Sequence, residues 1–182
     1  MSVNNKTYNN VVNFMARLGE YHEQISTVSV GDIYDVAIDK NIKMPLLHIN
    51  PVNVTTGDSE LIYNFQLFIM DLVDNDTSSE VKPIADLTKL INRNNNQQEV
   101  WNNTLNIATD FIGMLRHSSR QSLAGVNDIN FPVYFTQDQF NLDPFQERFD
   151  DLASGWVFNV GVKVINDFDT CQIPVSTNGA GY

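Results

Sequence analysis

The chain has 182 residues, 42% of them hydrophobic, and carries a formal net charge of −11 at pH 7. This length fits one domain (residues 1–182) with a continuous core. The acidic charge excludes a nucleic-acid coat and a protein held on an anionic membrane surface, because both require clustered lysine and arginine.

The termini and the cysteine content predict where the protein is made. Cys171 is the only cysteine, so no intrachain disulfide can form and a reducing compartment is expected. The first ten residues lack the features of a signal peptide, and no apolar run approaches the roughly 20 residues that span a bilayer. We therefore expect a soluble protein made in the cytosol, with no membrane partner and with flexible polar arms at residues 1–7 and 175–182.

The first part of the chain predicts a helix followed by two short strands. Apolar residues recur every three or four positions over residues 8–25, which indicates an amphipathic helix. Residues 30–38 and 45–49 predict short strands. Because Pro45 has no amide hydrogen, the second of these strands is expected to begin at the proline or to lie at a sheet edge. Residues 53–59 are expected to form a loop.

Two long strands form the centre of the predicted fold. Residues 61–73 read LIYNFQLFIMDLV, with large apolar side chains at every second position and with Asn64 and Gln66 on the other face. Residues 156–165 repeat this alternation. We predict that the two strands pair in one sheet with one face buried.

The rest of the chain predicts further helices and strands. A short helix is expected at residues 80–91 and a long helix of about five turns at residues 97–117. Residues 131–135 predict a strand, and residues 137–151 predict an irregular excursion. Residues 118–130 are polar, without a period and longer than most connections, which favours a partner-binding loop. The candidate binding residues in this loop are Ser119, Arg120, Gln121, Ser122, Leu123, Ala124, Gly125 and Val126.

Side chains that commonly carry catalysis do not form a recognisable motif in this sequence. His22, His48 and His117 are far apart and show no metal-binding spacing, so each is expected to be a half-buried or surface histidine. Cys171 lies in an acidic stretch that raises the pKa of a thiol, and there is no nucleophile elbow or phosphate-binding loop. The sequence therefore predicts neither an enzyme nor a cofactor.

One acidic cluster leaves a different function open. Asp71, Asp74 and Asp76 supply oxygen ligands, but a calcium loop beginning at Asp74 requires glycine where Ser79 stands and glutamate where Ala85 stands. A turn with solvated carboxylates at the end of a strand is the favoured interpretation. The alternative is a small acidic metal-dependent hydrolase or a calcium-binding module built on these three aspartates.

The order of elements predicts an α+β domain, with a mostly antiparallel sheet covered by helices on one face. With its local motifs, this order resembles the tail-terminator or tail-completion proteins of bacteriophages, over about residues 8–174. The matching features are the helix leading into Gly31-Asp32-Ile33, the strand at Pro45-Leu46-Leu47, the strand from Tyr63 to Asp71, and the motifs Leu142-Asp143-Pro144-Phe145, Phe149-Asp150-Asp151-Leu152, Gly155-Trp156 and Cys171-Gln172-Ile173-Pro174.

This resemblance implies a non-enzymatic virion protein with a tail-terminator-like fold. Such a protein assembles in the host cytoplasm as a homo-oligomeric ring of six or twelve copies and joins the portal or connector to the tail. Its partners are the neighbouring connector, neck and tail proteins. DNA would pass through the channel without specific binding, which suits an acidic lumen. Loops such as residues 119–126 would become ordered on the neighbouring ring.

Overall fold

A computed structural model describes residues 7–33, 36, 42–74, 96–118, 134–148 and 152–165. The elements in chain order are α1 (Tyr8–Tyr21), β1 (Thr27–Val30), β2 (Leu46–Thr56), β3 (Glu60–Leu72), α2 (Gln97–Ser118), β4 (Phe135–Thr136), β5 (Leu142–Arg148) and β6 (Leu152–Ile165). Together these described elements form one α+β unit around one sheet.

The six strands form a mixed sheet in which β3 and β6 are central. The order is β1-β2-β3-β6, and the two short strands β4 and β5 both pair with the outer side of β6. β1 and β2 are parallel, and the other neighbours are antiparallel. The pairing of β3 with β6 extends over the whole of β3, from Glu60 opposite Ile165 to Leu72 opposite Ala153. The predicted α+β class and the predicted pairing of the two long strands are therefore confirmed.

Both described helices pack on the same face of the sheet, as the sequence predicts. The apolar side chains that alternate along β3 and β6 meet the apolar stripes of α1 and α2 there, and this burial is the main favourable term in folding. The residues of this core include Tyr63, Phe65, Leu67 and Ile69 from β3, Phe158, Val160, Val162 and Val164 from β6, Val11, Met15 and Leu18 from α1, and Ile107, Phe111 and Leu115 from α2.

A smaller apolar cluster covers one end of the opposite face. It is formed by Leu46, Phe68, Met70 and Ala153 of the sheet together with Val36. Each of these strand residues lies at a register position opposite to the helix-covered face, as the period of two requires. The other end of this face is polar, so the sheet buries one face fully and the second face in part.

The first helix is shorter than the sequence predicts. α1 begins after Thr7, whose side-chain oxygen accepts a hydrogen bond from the Asn10 amide at 3.4 Å, and it ends at Tyr21 because His22 is extended. Near its end, the helix approaches β1 and β2 at Gly19. A Cβ at this position would lie 2.7 Å from Leu47 Cδ2, so the glycine permits the close packing of the helix on the sheet.

The first strand lies earlier than predicted. The prediction of a strand at residues 30–38 is wrong in its bounds, since β1 spans Thr27–Val30. Gly31, which follows the strand, has a φ of 146°. This conformation favours glycine and turns the chain out of the sheet. Within the predicted span, residues 34, 35, 37 and 38 lie outside the described part of the chain.

The second strand is longer than predicted. β2 begins directly after Pro45, as expected, but continues through Pro51 to Thr56, where a loop was predicted. β1 covers β2 only as far as Ile49, whose carbonyl accepts a hydrogen bond from the Gly31 amide at 3.1 Å. Because backbone groups alternate along a strand, the Pro51 nitrogen points to the same side of β2 as the Ile49 carbonyl. No described strand on that side needs a hydrogen-bond donor from residue 51.

The prediction of an irregular excursion at residues 137–151 is wrong for the middle of that range. β5 occupies Leu142–Arg148 and pairs antiparallel with the first half of β6. The predicted strand at residues 131–135 survives only in part, because β4 is Phe135–Thr136 and residues 131–133 are outside the described chain. The predicted helix at residues 80–91 also lies outside it.

Candidate interaction surface

The acidic turn after β3 is joined to the start of α2. The Asp74 amide donates to Asn96 Oδ1 at 2.8 Å, and the Asn96 amide donates to the Asp74 carbonyl at 3.4 Å. Burial raises the pKa of Asp71, an effect that the hydrogen bond from the Leu72 amide partly offsets. Asp76 lies outside the described residues. Among the residues that the structure describes, no three His, Cys, Asp or Glu side chains lie together in an arrangement that could hold a metal ion.

A hydrogen-bonded pair of the partly buried Ser29 and the buried His48 connects β1 to β2. His48 is only 1% exposed, which corrects the expectation of a half-buried or surface histidine. Its Nδ1 lies 2.8 Å from Ser29 Oγ, and its Nε2 is buried with no hydrogen-bond partner in the described structure. A nucleophilic serine would need the histidine to be oriented through its second nitrogen. The pair is therefore interpreted as a structural contact between neighbouring strands.

Burial lowers the pKa of His48 below its ordinary value of 6.5, and the Gly31 backbone and the Asp32 carboxylate offset part of this effect. The folded protein therefore favours the neutral imidazole. Stability is retained above about pH 6.5 and falls below it, where the unfolded chain binds a proton that buried His48 resists. We expect the variant His48→Gln to show a smaller loss of melting temperature between about pH 7 and 5 than the natural chain. Equal losses in the two proteins would contradict this assignment.

The predicted partner-binding loop, residues 119–126, lies outside the described residues, which end at Ser118 before it and resume at Tyr134. Ser118, which was predicted to open the loop, is instead the last residue of α2. The Arg116 guanidinium donates to the Asp138 carbonyl and lies 5.5 Å from the centre of the Phe140 ring. The chain segment after β4 is thereby fixed against the end of α2.

β4 and β5 leave a gap between them on the side of β6 that faces away from β3, and the Gln137 side chain fills this gap. β5 pairs with β6 as far as Phe158, and β4 pairs with it from Val162. Between them, Gln137 Nε2 donates to the Asn159 carbonyl at 2.7 Å, and Gln137 Oε1 accepts from the Gly161 amide at 2.8 Å. The Gln137 amide thus satisfies the backbone groups that a strand would otherwise bond.

β5 itself is an edge strand with residues that discourage further pairing. Its sequence, LDPFQER, contains Pro144, which lacks an amide hydrogen, and charged residues at Asp143, Glu147 and Arg148. Proline and charge are the usual means by which an edge strand avoids pairing with another chain. This edge of the sheet is therefore protected.

The opposite edge carries no charged residue. We call residues 50–56 the open edge: they form the second half of β2, beyond the last residue that pairs with β1, and no described strand lies on their outer side. Their sequence is NPVNVTT. Val52 and Val54 are 56% and 49% exposed. Besides Pro51, the described residues show one edge-blunting feature here, the irregularity in register between Pro51 and Asn53.

Hydrogen bonds from the neighbouring strand hold the open edge in place. Asn64 Nδ2 donates to Asn53 Oδ1 at 2.7 Å and to Thr55 Oγ1 at 3.3 Å, both across the β2–β3 pair. At the end of this hairpin, the Gly57 amide donates to the Glu60 carbonyl at 2.8 Å. The open edge is thus a strand of fixed conformation, and a partner would not have to order it.

Exposed apolar side chains flank the open edge on the helix-covered face. Tyr8 is 41% exposed, and its ring stacks on Phe65 with the ring centres 6.3 Å apart. Phe65 is the register partner of Pro51. Val30, at the end of β1, is also exposed. The sequence does contain a signal for this surface, since residues 50–56 combine strand-forming β-branched residues with a complete lack of charge.

No protein-family model matches the chain, and no curated protein matches it either. In the described part of the chain, neither helix combines the length and the apolar character needed to cross a membrane.

Proposed function

We propose that this chain is a structural virion protein of a tailed bacteriophage, without enzymatic activity. It forms a ring in the neck or tail that joins the portal or connector to the tail and surrounds the DNA channel. Its partners are other copies of itself and the adjacent connector, neck and tail proteins. The observation that carries the proposal is the open edge, a preformed and uncharged strand available for contact with another subunit.

The arrangement of polar groups supports a role based on contact. In the described residues, the Ser29–His48 pair lacks a group that orients the histidine through its second nitrogen. The acidic turn at Asp71 and Asp74 is engaged with its own backbone and with Asn96. The polar groups of His48, Asp71 and Asp74 thus take part in contacts within the fold.

The net charge of −11 supports the proposed position around DNA. A channel with a negative wall repels the phosphate backbone, so DNA slides through it and is not retained. Specific recognition of DNA has no part in this function.

The native mass of the purified protein over a range of concentrations tests the proposal. We expect a species of six or twelve times the chain mass of 20.6 kDa, formed by the chain alone or on a purified connector ring. A chain that remains at one copy under both conditions would contradict the proposed ring. Thermal unfolding with and without millimolar calcium or magnesium tests the metal-dependent alternative, which requires metal to raise the melting temperature.

A further inference from the structure

The backbone of the open edge has hydrogen-bonding groups that pair with no described strand. The bond from the Gly57 amide to the Glu60 carbonyl fixes which backbone groups of β2 face β3. Alternation along an antiparallel pair then directs Thr55 toward β3, and Val54 and Thr56 outward. In the described structure, no strand occupies that outer side. Residues 54 and 56 therefore offer amide and carbonyl groups in the geometry that an added strand uses.

The side chains of the open edge match this backbone. Valine and threonine are strand-forming residues that pack well against the side chains of a neighbouring strand. Val54 projects on the helix-covered face, at the register position opposite Tyr63. Tyr8 lies over the same region, with its ring centre 6.4 Å from that of Tyr63. An added strand would bury Val54 and extend the apolar surface that Tyr8 begins.

The charge of the chain indicates which partner fits. A basic partner would be selected by acidic residues, yet the open edge has none, and the first charged residue after it is Asp58. Contact between two copies, each with a net charge of −11, requires a surface that does not bring carboxylates together. The open edge meets this requirement, whereas β5 at the other edge carries Asp143 and Glu147.

We propose that the open edge is completed by an extended segment of a second copy of this chain, which adds a strand to β2. The choice of a second copy as the partner rests on the proposed function, whereas the geometry of the open edge does not depend on that function. Backbone hydrogen bonds to residues 54 and 56 supply the contact, and the side chain of Val54 is buried in it.

Charge substitutions at Val54, combined with amide hydrogen exchange, test this inference. A charge of either sign would have to be buried in the contact, so Val54→Lys and Val54→Glu should each raise the dissociation constant for self-association about tenfold or more. Residues 50–56 of the natural chain should exchange more slowly as its concentration rises. Asn102→Lys and Asn102→Glu provide matched controls, because Asn102 is exposed on α2, and both should assemble normally.

The outcomes separate this inference from the proposed ring. A ring whose residues 50–56 exchange at a rate independent of assembly would overturn the inference and leave the ring standing. A two-fold dimer with residues 50–56 protected would support the inference and contradict the ring. Weaker assembly in Val54→Glu alone would indicate a contact governed by charge and would overturn the inference. A chain that does not self-associate would also overturn the inference. Unchanged melting temperatures in the Val54 variants confirm that the fold is retained.

Discussion

Replacing Gly155 by alanine should lower the free energy of unfolding by more than about 3 kcal/mol, enough to abolish a cooperative fold in a marginally stable chain. Gly155 lies in β6 opposite Met70 of β3. A Cβ at this position would lie 1.9 Å from the Ile69 carbonyl oxygen and 2.9 Å from the Met70 Cα. Both obstructing atoms belong to the backbone of a central strand, so no side-chain rotation can relieve the overlap.

Gly113→Ala provides the matched control for this substitution. Gly113 lies within α2, where nothing comes within 4 Å of an added Cβ. Because alanine is the better helix former, this variant should gain about 0.5 to 1 kcal/mol. Urea denaturation monitored by circular dichroism measures both effects. A Gly155→Ala variant that unfolds within about 1 kcal/mol of the natural chain would contradict the strand pairing described above.

Replacing Tyr134 by alanine should cost about 3 to 5 kcal/mol, the range found when a large buried aromatic side chain is removed. Tyr134 is 1% exposed, and its ring meets that of Phe14 of α1 edge-on, with the ring centres 4.8 Å apart. Burial, together with nearby Tyr63, raises the pKa of Tyr134 to about 12, so the phenol remains neutral over the range in which the protein is handled. The substitution would leave a cavity between α1 and the sheet.

The variant Tyr134→Phe keeps the ring and should cost less than about 1.5 kcal/mol, the typical contribution of one polar contact. The difference between the two variants isolates the packing of the ring. Tyr134 also fixes the point at which the chain re-enters the described fold after residues 119–133. Thermal unfolding measured at neutral pH compares the three proteins, and equal stabilities for the alanine and phenylalanine variants would refute this role.

The elements that could be predicted from the sequence are those whose burial follows a simple period. β3 and β6 alternate because one of their faces is buried under two helices, and α2 keeps a helical period because one stripe contacts that face. The predicted bounds of β3 and α2 agree with the structure to within one residue, whereas β6 begins at Leu152, before the predicted residue 156. The α+β class follows from these elements. The local sequence pattern is sufficient to predict these elements because burial in the core determines which of their positions are apolar.

The edges of the sheet could not be predicted in the same way. β2 contains Pro51 and β5 contains Pro144, and proline in a run of residues argues against a strand. Both prolines are tolerated because each strand has an outer side that pairs with no other described strand at that point. Whether a strand lies at an edge is a property of the whole sheet, so no local window of sequence reveals it.

Because a sheet edge is a property of the whole sheet, the sequence also predicts the partner-binding surface at a different place from the open edge. The sequence favours residues 119–126, which lie in a polar segment without a period, and it predicts a loop at residues 53–59. The structure instead extends β2 through Thr56 and leaves its valines exposed. The lack of charge over residues 50–56 was visible in the sequence, but it indicates a contact surface only once the strand and its unpaired side are known.

Averaged electron-microscope images of the assembled protein test the proposed ring. We expect a closed ring of six or twelve copies around an open channel wide enough for duplex DNA, with neighbouring subunits joined along the open edge of β2. A particle without a channel, or an open filament of subunits, would contradict the proposal that this chain joins a phage capsid to its tail.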